Sequence, residues 1–335
     1  MRGLRHRVLP AGIRAGMRAR VRERVRHGVR AGFALLAVLW VMVAATVLGT
    51  GLVLTARRAV RSATNRHEAI VAQWRAEGCG ERARAATTLV LAADSAASGT
   101  AATSWRSLDQ VLPEAPLLIG AGCALTLAPT GIALDVDSAD ADELTRLFLA
   151  LGTPAGRADS LVDALLDWRD ADDVPRAGGA EAAWYRREQR ALPRNGPFAS
   201  VAEVARVRGF EHMTGLDSVL TTDPGRILLD RAPAAVLAAL PGLTPEAIAR
   251  IERDRVEGIP VTSLLALAGQ LSVTARGALT AHYAELSRRT TADPDAWVLT
   301  SRASAGSPTI TVAVALTLKR AGTRTAIIRR RMWLE

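Results

Sequence analysis

The sequence predicts an α+β protein that begins with one long transmembrane helix and carries a large α-helical domain inserted between its strands. No charged residue occurs from Phe33 to Ala56. Strand-like segments occur at residues 123–136 and at the C-terminal end, and short helix-like segments fill the sequence between them. An antiparallel sheet interrupted by a helical insertion accounts for this order.

The uncharged stretch is long enough to cross a bilayer. At about 1.5 Å per residue, residues 33–56 form a helix roughly 36 Å long. A cleaved signal peptide normally has a shorter apolar region, followed by a small-x-small site. Ten arginines precede the stretch and four follow it closely, which favours a cytoplasmic N-terminus. The sequence therefore predicts a single-pass protein of a bacterial inner membrane, with its soluble domain in the periplasm.

The basic charge of the chain belongs to its first 32 residues. They hold ten arginines and one acid, Glu23, and so carry +9 of the formal net charge of +10. Residues 33–335 carry the remaining +1 and lack the basic face that phosphate binding needs. The sequence therefore predicts no nucleic-acid partner for the soluble part.

Residues 165–185, LLDWRDADDVPRAGGAEAAWY, concentrate acidic side chains on a Pro/Gly turn. Such hard oxygen donors suit Ca²⁺ rather than Zn²⁺, although the spacing lacks the central glycine and the final glutamate of an EF-hand. The candidate metal ligands are Asp167, Asp170, Asp172, Asp173 and Glu181. In the alternative interpretation these acids cap helices and bind solvent, with Asp167 facing Arg169 or Arg176.

Nothing in the sequence predicts an enzyme. The acids lie on a single turn and not across a cleft, and no nucleophile–base pair or Gly-rich phosphate loop accompanies them. The two cysteines, Cys79 and Cys123, either form a disulfide in the oxidising periplasm or remain two unpaired thiols.

Residues 232–255 resemble a helix-hairpin-helix, a unit that often binds DNA through backbone N–H groups. The usual Gly-apolar-Gly turn here reads Gly242-Leu243-Thr244, so the second glycine is missing. Glu246 also places an acid where a phosphate would lie. We therefore interpret this hairpin as a packing unit.

Several local elements are predicted from pattern alone. A helix over 57–78 is expected to break at AEGCGE (76–81) and to resume over 83–93. Residues 123–136 predict a hairpin, and residues 140–152 and 159–168 predict helices. The last residues predict two strands joined by a turn at Ala321-Gly322.

The N-terminal stretch resembles that of a type IV prepilin: a basic leader ends at Gly32, and Phe33 opens an unbroken apolar helix. The resemblance implies that a prepilin peptidase cuts between these two residues and methylates the new amino group. Most such pilins have glutamate as the fifth mature residue, whereas this chain has Ala37. An uncharged fifth residue is typical of the K-type minor pseudopilin of type II secretion systems. Met17 offers a second start that would give a leader of more usual length.

The segment at 165–185 closely resembles the D-W-x-D-x-D-x-x-P signature of that family, and residues 195–210 resemble the block that follows it. In the second block Ser200 and Glu203 are expected to form a helix capping box. Members of the family bind calcium in their soluble domain, so the resemblance implies Ca²⁺ as a cofactor and the acidic turn as its site.

The resemblance implies a pseudopilin-like fold and a non-enzymatic subunit at the tip of the pseudopilus, which initiates and caps the filament for protein secretion. The implied partners are the I, J and H types of minor pseudopilin, the major pseudopilin, the prepilin peptidase and the inner membrane. The alternatives are a membrane-anchored DNA-uptake protein and a plain signal-anchored periplasmic protein. The expected divisions are a leader (1–32), a transmembrane helix (33–56), the first part of the α/β domain (57–139), an inserted helical domain (140–289) and C-terminal strands (290–335).

Overall fold

The structure, a computed structural model, describes residues 11–98, 102–112 and 124–335, with side chains from Leu35 onward. It divides into two compact units, residues 1–68 and residues 69–335. The α-helices are α1 (Ala11–Ser98), α2 (Ala102–Arg106), α3 (Leu108–Val111), α4 (Ala141–Ala150), α5 (Ala155–Arg169), α6 (Ala182–Arg187), α7 (Ala234–Ala239), α8 (Pro245–Val256), α9 (Leu264–Ala268), α10 (Val273–Ala281) and α11 (Tyr283–Arg289). The strands are β1 (Ala124–Pro129), β2 (Leu134–Asp135), β3 (Leu220–Thr221), β4 (Ile227–Leu228), β5 (Thr290–Thr291), β6 (Ala296–Ala305), β7 (Ile310–Ala321) and β8 (Arg324–Leu334).

The first unit consists of the N-terminal part of α1. Among the described residues, one helix is long and apolar enough to cross a membrane, and it is α1. The large apolar side chains between Leu35 and Leu54 are exposed, as expected for a helix that has lipid or other helices as its surroundings. The predicted long apolar N-terminal helix is confirmed.

The second unit contains a four-stranded sheet in the order β1-β6-β7-β8, with all neighbours antiparallel. Helices α4 to α11 lie in sequence between β1 and β6, so most of the helical chain leaves the sheet and returns to it. The turn predicted at Ala321-Gly322 joins β7 to β8, with Gly322 at a φ of +66°. The predicted α+β fold with an antiparallel sheet is confirmed.

The helix break predicted at residues 76–81 is wrong, because α1 continues through both glycines. In the second unit α1 packs on the sheet through alanines, among them Ala72, Ala76 and Ala83. A Cβ on Gly80 would lie 3.2 Å from the Leu316 side chain, so the glycine allows the helix to approach the sheet closely. Burial against the sheet outweighs the helix penalty of about 1 kcal/mol for glycine.

The hairpin predicted at residues 123–136 is also wrong. β1 pairs antiparallel with β6, which lies far along the chain, whereas β2 pairs parallel with β3. The Pro-Thr-Gly turn redirects the chain from the sheet into the helical region. Gly131 has a φ of +83°, and a Cβ there would lie 2.0 Å from the carbonyl oxygen of Arg226. A local turn signal cannot specify a pairing partner so distant in sequence.

The helical region has its own core, separate from the core between α1 and the sheet. Helix α4 begins with a complete capping box, in which Asp140 accepts from Glu143 N–H and Glu143 accepts from Asp140 N–H. The buried Glu143 also pairs with Arg289 at the end of α11. The capping box predicted at Ser200 is wrong, because Glu203 Oε2 accepts from Ala199 N–H and the Ser200 side chain makes no capping hydrogen bond.

Candidate metal centre

The acidic turn runs from the end of α5 at Arg169 to the start of α6 at Ala182. The second half of the turn, which contains Gly178 and Gly179, packs closely against α5. Gly178 N–H donates to Asp163 Oδ2 at 2.8 Å. A Cβ on Gly179 would lie 2.0 Å from Asp167 Oδ2, so only glycine fits at this position. The two glycines thus fold the turn back onto the last turns of α5.

Aromatic side chains form a rigid base next to this turn. Buried Trp168 lies edge-on to Tyr185, with 5.2 Å between ring centroids, and stacks on Phe198 at 6.4 Å. The Tyr185 hydroxyl accepts from Arg208 N–H at 2.9 Å. Burial raises the pKa of Tyr185 to about 12, so the phenol stays neutral at physiological pH. Both ends of the acidic turn are therefore anchored in the helical core.

The structure brings three of the five predicted ligands together. Ligating oxygens of Asp170, Asp172 and Glu181 all lie within 4.8 Å of one another. Glu181 is only 3% exposed, and neither of its carboxylate oxygens has a hydrogen-bond partner among the described residues. Asp170 Oδ1 is likewise buried without a partner. Three carboxylates therefore converge on one point, and three of their oxygens lack a described donor.

The other two predicted ligands have different partners. Asp167 is fully buried and accepts from Arg176 Nη1 at 2.8 Å and from the Arg176 N–H. Asp173 Oδ1 accepts from Asn195 Nδ2 at 3.1 Å. The arginine expected to face Asp167 in the alternative interpretation is thus Arg176, which also pairs with Asp170 Oδ2.

The electrostatics of the cluster favour a cation. Burial, together with the negative charges of Asp167, Asp170 and Asp173, raises the pKa of Glu181 to about 7. Burial also raises the pKa of Asp167, against the opposing effect of Arg176. Among the described residues, Arg176 is the arginine that forms ion pairs with these acids, so a divalent cation would supply further positive charge.

The residues present fit Ca²⁺. Oxygens that bind one calcium ion lie 2.3–2.6 Å from it, so any two of them are separated by less than about 5 Å. The cluster meets this limit and consists only of oxygen donors. A bound cation would satisfy its buried oxygens, which have no hydrogen-bond partner among the described residues. Asp170, Asp172 and Glu181 would hold the ion, which would neutralise their charge and fix the turn.

Sequence reasoning missed two residues that shape the site. Asn195 adopts a φ of +49°, donates its N–H to the Trp168 carbonyl and donates its side-chain amide to the Asp172 carbonyl and to Asp173. Asp163, in α5, holds the glycine pair through Gly178. An Asn-Gly dipeptide such as 195–196 favours a turn, because asparagine tolerates this left-handed backbone, but it gives no indication of the contact.

We expect Gly179→Ala to destabilise the full chain by about 2–4 kcal/mol, because the new methyl group would overlap the buried Asp167 carboxylate. Denaturant unfolding of the detergent-solubilised protein measures this loss. Gly156→Ala, at an open position in α5, is the matched control and is expected to be neutral or slightly stabilising. Equal stabilities of the two variants would contradict the close packing of the turn.

The remaining predicted site residues lie elsewhere in the chain. Gly32 and Phe33 are within α1. Cys79 is buried in α1 and is disulfide-bonded, whereas Cys123 lies outside the described residues. The pairing of these two cysteines and the cleavage after Gly32 stay predictions.

The helix-hairpin-helix-like unit consists of α7 and α8, which pack on the helical core through one face. Gly242, with a φ of +82°, would place a Cβ 2.9 Å from His282 and 3.0 Å from the Ala278 carbonyl oxygen. Glu246 accepts from the N–H and hydroxyl of Ser272, which caps α10. The groups that would face a phosphate in a DNA-binding hairpin are therefore engaged within the protein.

Taken together, the apolar N-terminal helix, the antiparallel sheet that packs on its continuation and the helical insertion with an acidic turn define a membrane-anchored protein of pseudopilin-like fold. Residues 125–216, which include the acidic turn, match the family model of the type II secretion system (T2SS), protein K. This part of the chain is therefore similar to the K-type minor pseudopilins of type II secretion systems.

One solved structure shows how far the fold extends. The chain is similar to a chain in the crystal structure of the GspK-GspI-GspJ complex from the enterotoxigenic Escherichia coli type 2 secretion system, with a TM-score of 0.51 and 16% sequence identity. The match covers 81% of this chain and 99% of that chain, so the likeness of fold extends well beyond the family match. No curated protein matches the chain in sequence.

Proposed function

We propose that this chain is a non-enzymatic subunit at the tip of the type II secretion pseudopilus, where it initiates and caps the filament that drives protein secretion across the outer membrane. The observation that carries the proposal is the protein K family match over residues 125–216, within a fold similar to that of a chain from a K–I–J complex. The I and J types of minor pseudopilin are the corresponding partners, and the H type and the major pseudopilin would lie beyond them in the filament.

The missing acid near the start of the mature chain supports a position at the tip. A prepilin peptidase would cut between Gly32 and Phe33 on the cytoplasmic side, methylate the new amino group and leave Ala37 as the fifth residue. A buried carboxylate at this position is useful only if another subunit supplies a positive amine to it, since an unpaired buried charge costs free energy. A subunit with nothing above it has no such amine. In this orientation the second unit would lie in the periplasm.

The acidic turn has a structural role in this proposal. Ca²⁺ held by Asp170, Asp172 and Glu181 would join the end of α5 to the start of α6 and so stiffen the helical region. A rigid helical region of this size suits a terminal subunit, because it would block the addition of further subunits above it.

The proposal is tested in a strain that lacks this gene but keeps the other secretion genes. We expect secretion of the exported proteins to fall to background and to return when the full chain is supplied. Because a tip subunit is used once per filament, overproducing it alongside the major pseudopilin should give more and shorter filaments by electron microscopy. Full secretion without the gene, or filament lengths independent of its dose, would contradict the proposal.

A further inference from the structure

Strand β8 forms one edge of the sheet in the second unit and exposes an unusual amount of apolar surface. It is the last strand in the order β1-β6-β7-β8, so half of its backbone N–H and C=O groups face away from the described sheet. Its exposed apolar side chains are Ile327, Ile328, Met332, Trp333 and Leu334. A long apolar edge of this kind favours pairing with another chain.

A groove of about 360 Å³ lies between this edge and α1. Met332 pairs with Val314 and Leu334 pairs with Val312, and both valines face α1 in the buried core. The two β8 side chains therefore lie on the same face of the sheet and line one wall of the groove. Ile70 on α1 lines the opposite wall and is half exposed.

The strand that forms one wall of the groove is basic. Strand β8 carries Arg324, Arg329, Arg330 and Arg331. Asp223 is shared by Arg329 and Arg331, and Glu77 pairs with Arg330. Glu335, which follows the strand, pairs with Arg302 of β6. Three acids therefore face five arginines, and the edge keeps a positive charge that an acidic partner would neutralise.

We propose that this groove, defined by Ile70, Met332 and Leu334, receives an extended segment of a neighbouring minor pseudopilin that carries apolar side chains and at least one carboxylate. The segment adds to β8 as a fifth strand, and its apolar side chains fill the groove. An extended polypeptide satisfies the outward N–H and C=O groups of the edge, which a lipid surface leaves unpaired. The inference rests on the proposed function, because the partner is a subunit of the same pseudopilus.

The test uses the full chain, co-expressed with the I- and J-type minor pseudopilins from the same secretion gene cluster and purified in detergent. Leu334→Asp and Ile70→Asp change the two walls of the groove independently. Val256→Asp changes an apolar residue at the end of α8 that is more exposed than either groove residue, and it is the matched control. We expect each groove variant to reduce co-purification of the partners at least tenfold, and the control to leave it unchanged. Thermal melting of each variant shows whether it folds. If one groove variant does not fold, the variant on the opposite wall provides the test.

A photo-crosslinking amino acid at Met332 identifies what occupies the groove. We expect a crosslink to a minor pseudopilin at this position and none at Val256. Groove variants that capture both partners as well as the wild type would overturn the inference and leave the proposed function standing. A crosslink to a second copy of the chain or to lipid alone would also overturn it. Failure of the wild-type chain to capture either partner would instead overturn the proposed function, and the inference with it.

Discussion

Calcium is expected to raise the melting temperature of the full chain by about 5–11 °C over the value in chelator. A ligand that binds only the folded state adds about 2.7 kcal/mol when its free concentration is one hundred times Kd. For a unit of this size, 1 kcal/mol corresponds to about 2–4 °C. The effect arises because Ca²⁺ neutralises the buried carboxylates of Asp170, Asp172 and Glu181. Differential scanning fluorimetry of the protein in detergent, with calcium or with EDTA, measures it.

Glu181→Gln separates metal binding from general stability. The variant should lose most of the calcium-dependent shift, because it removes a charged and deeply buried ligand. In EDTA it should melt at the same temperature as the wild type or higher, because the substitution removes a buried charge that no described donor compensates. Asp159→Asn makes the same charge change on the exposed surface of α5 and should keep the full shift. Identical melting of the wild type in calcium and in EDTA would rule out a calcium site.

Loss of the disulfide is expected to lower stability by about 4 kcal/mol, the loop-closure estimate for a bond between Cys79 and Cys123. For a unit of this size that corresponds to a fall of about 8–16 °C in the melting temperature. Cys79 is disulfide-bonded and lies in the α1 face that packs on the sheet, so a bond to Cys123 would tie α1 to the chain segment before β1. Melting of the full chain with and without reductant measures the change.

The Cys79→Ser variant provides the control for that experiment. It should melt near the temperature of the reduced wild type and should show no further response to reductant. Alkylation of the unreduced, denatured wild type followed by peptide mass spectrometry should find both cysteines unmodified and linked to each other. Alkylated Cys79 and Cys123, or equal melting temperatures with and without reductant, would contradict the pairing.

Features determined by neighbouring residues were predictable from the sequence. The start of α4 follows from Asp140 and Glu143, because the side chain of each accepts a hydrogen bond from the backbone N–H of the other. The β7–β8 turn follows from a glycine between two alternating apolar segments. The apolar helix follows from composition alone. In each case the interacting groups are adjacent in sequence.

Features determined by tertiary contacts were not predictable. Gly80 reads as a helix breaker, yet there it allows α1 to approach the sheet closely. The strand that pairs with β1 lies after the entire helical insertion, so no local pattern could identify it. The acidic turn was predicted as a site, but which of its acids converge depends on tertiary contacts. Arg176 and Asn195 engage Asp167 and Asp173, whereas Asp170, which also pairs with Arg176, lies with Asp172 and Glu181.

The most direct test of the central claim is the mass of the N-terminus after expression with and without a prepilin peptidase. A K-type minor pseudopilin should give a mature chain that begins with methylated Phe33 when the peptidase is present, and an intact leader when it is absent. A control pilin processed in the same cells establishes that the peptidase is active. An intact leader in both cultures, with the control pilin cleaved, would contradict the account and leave a plain signal-anchored periplasmic protein in its place.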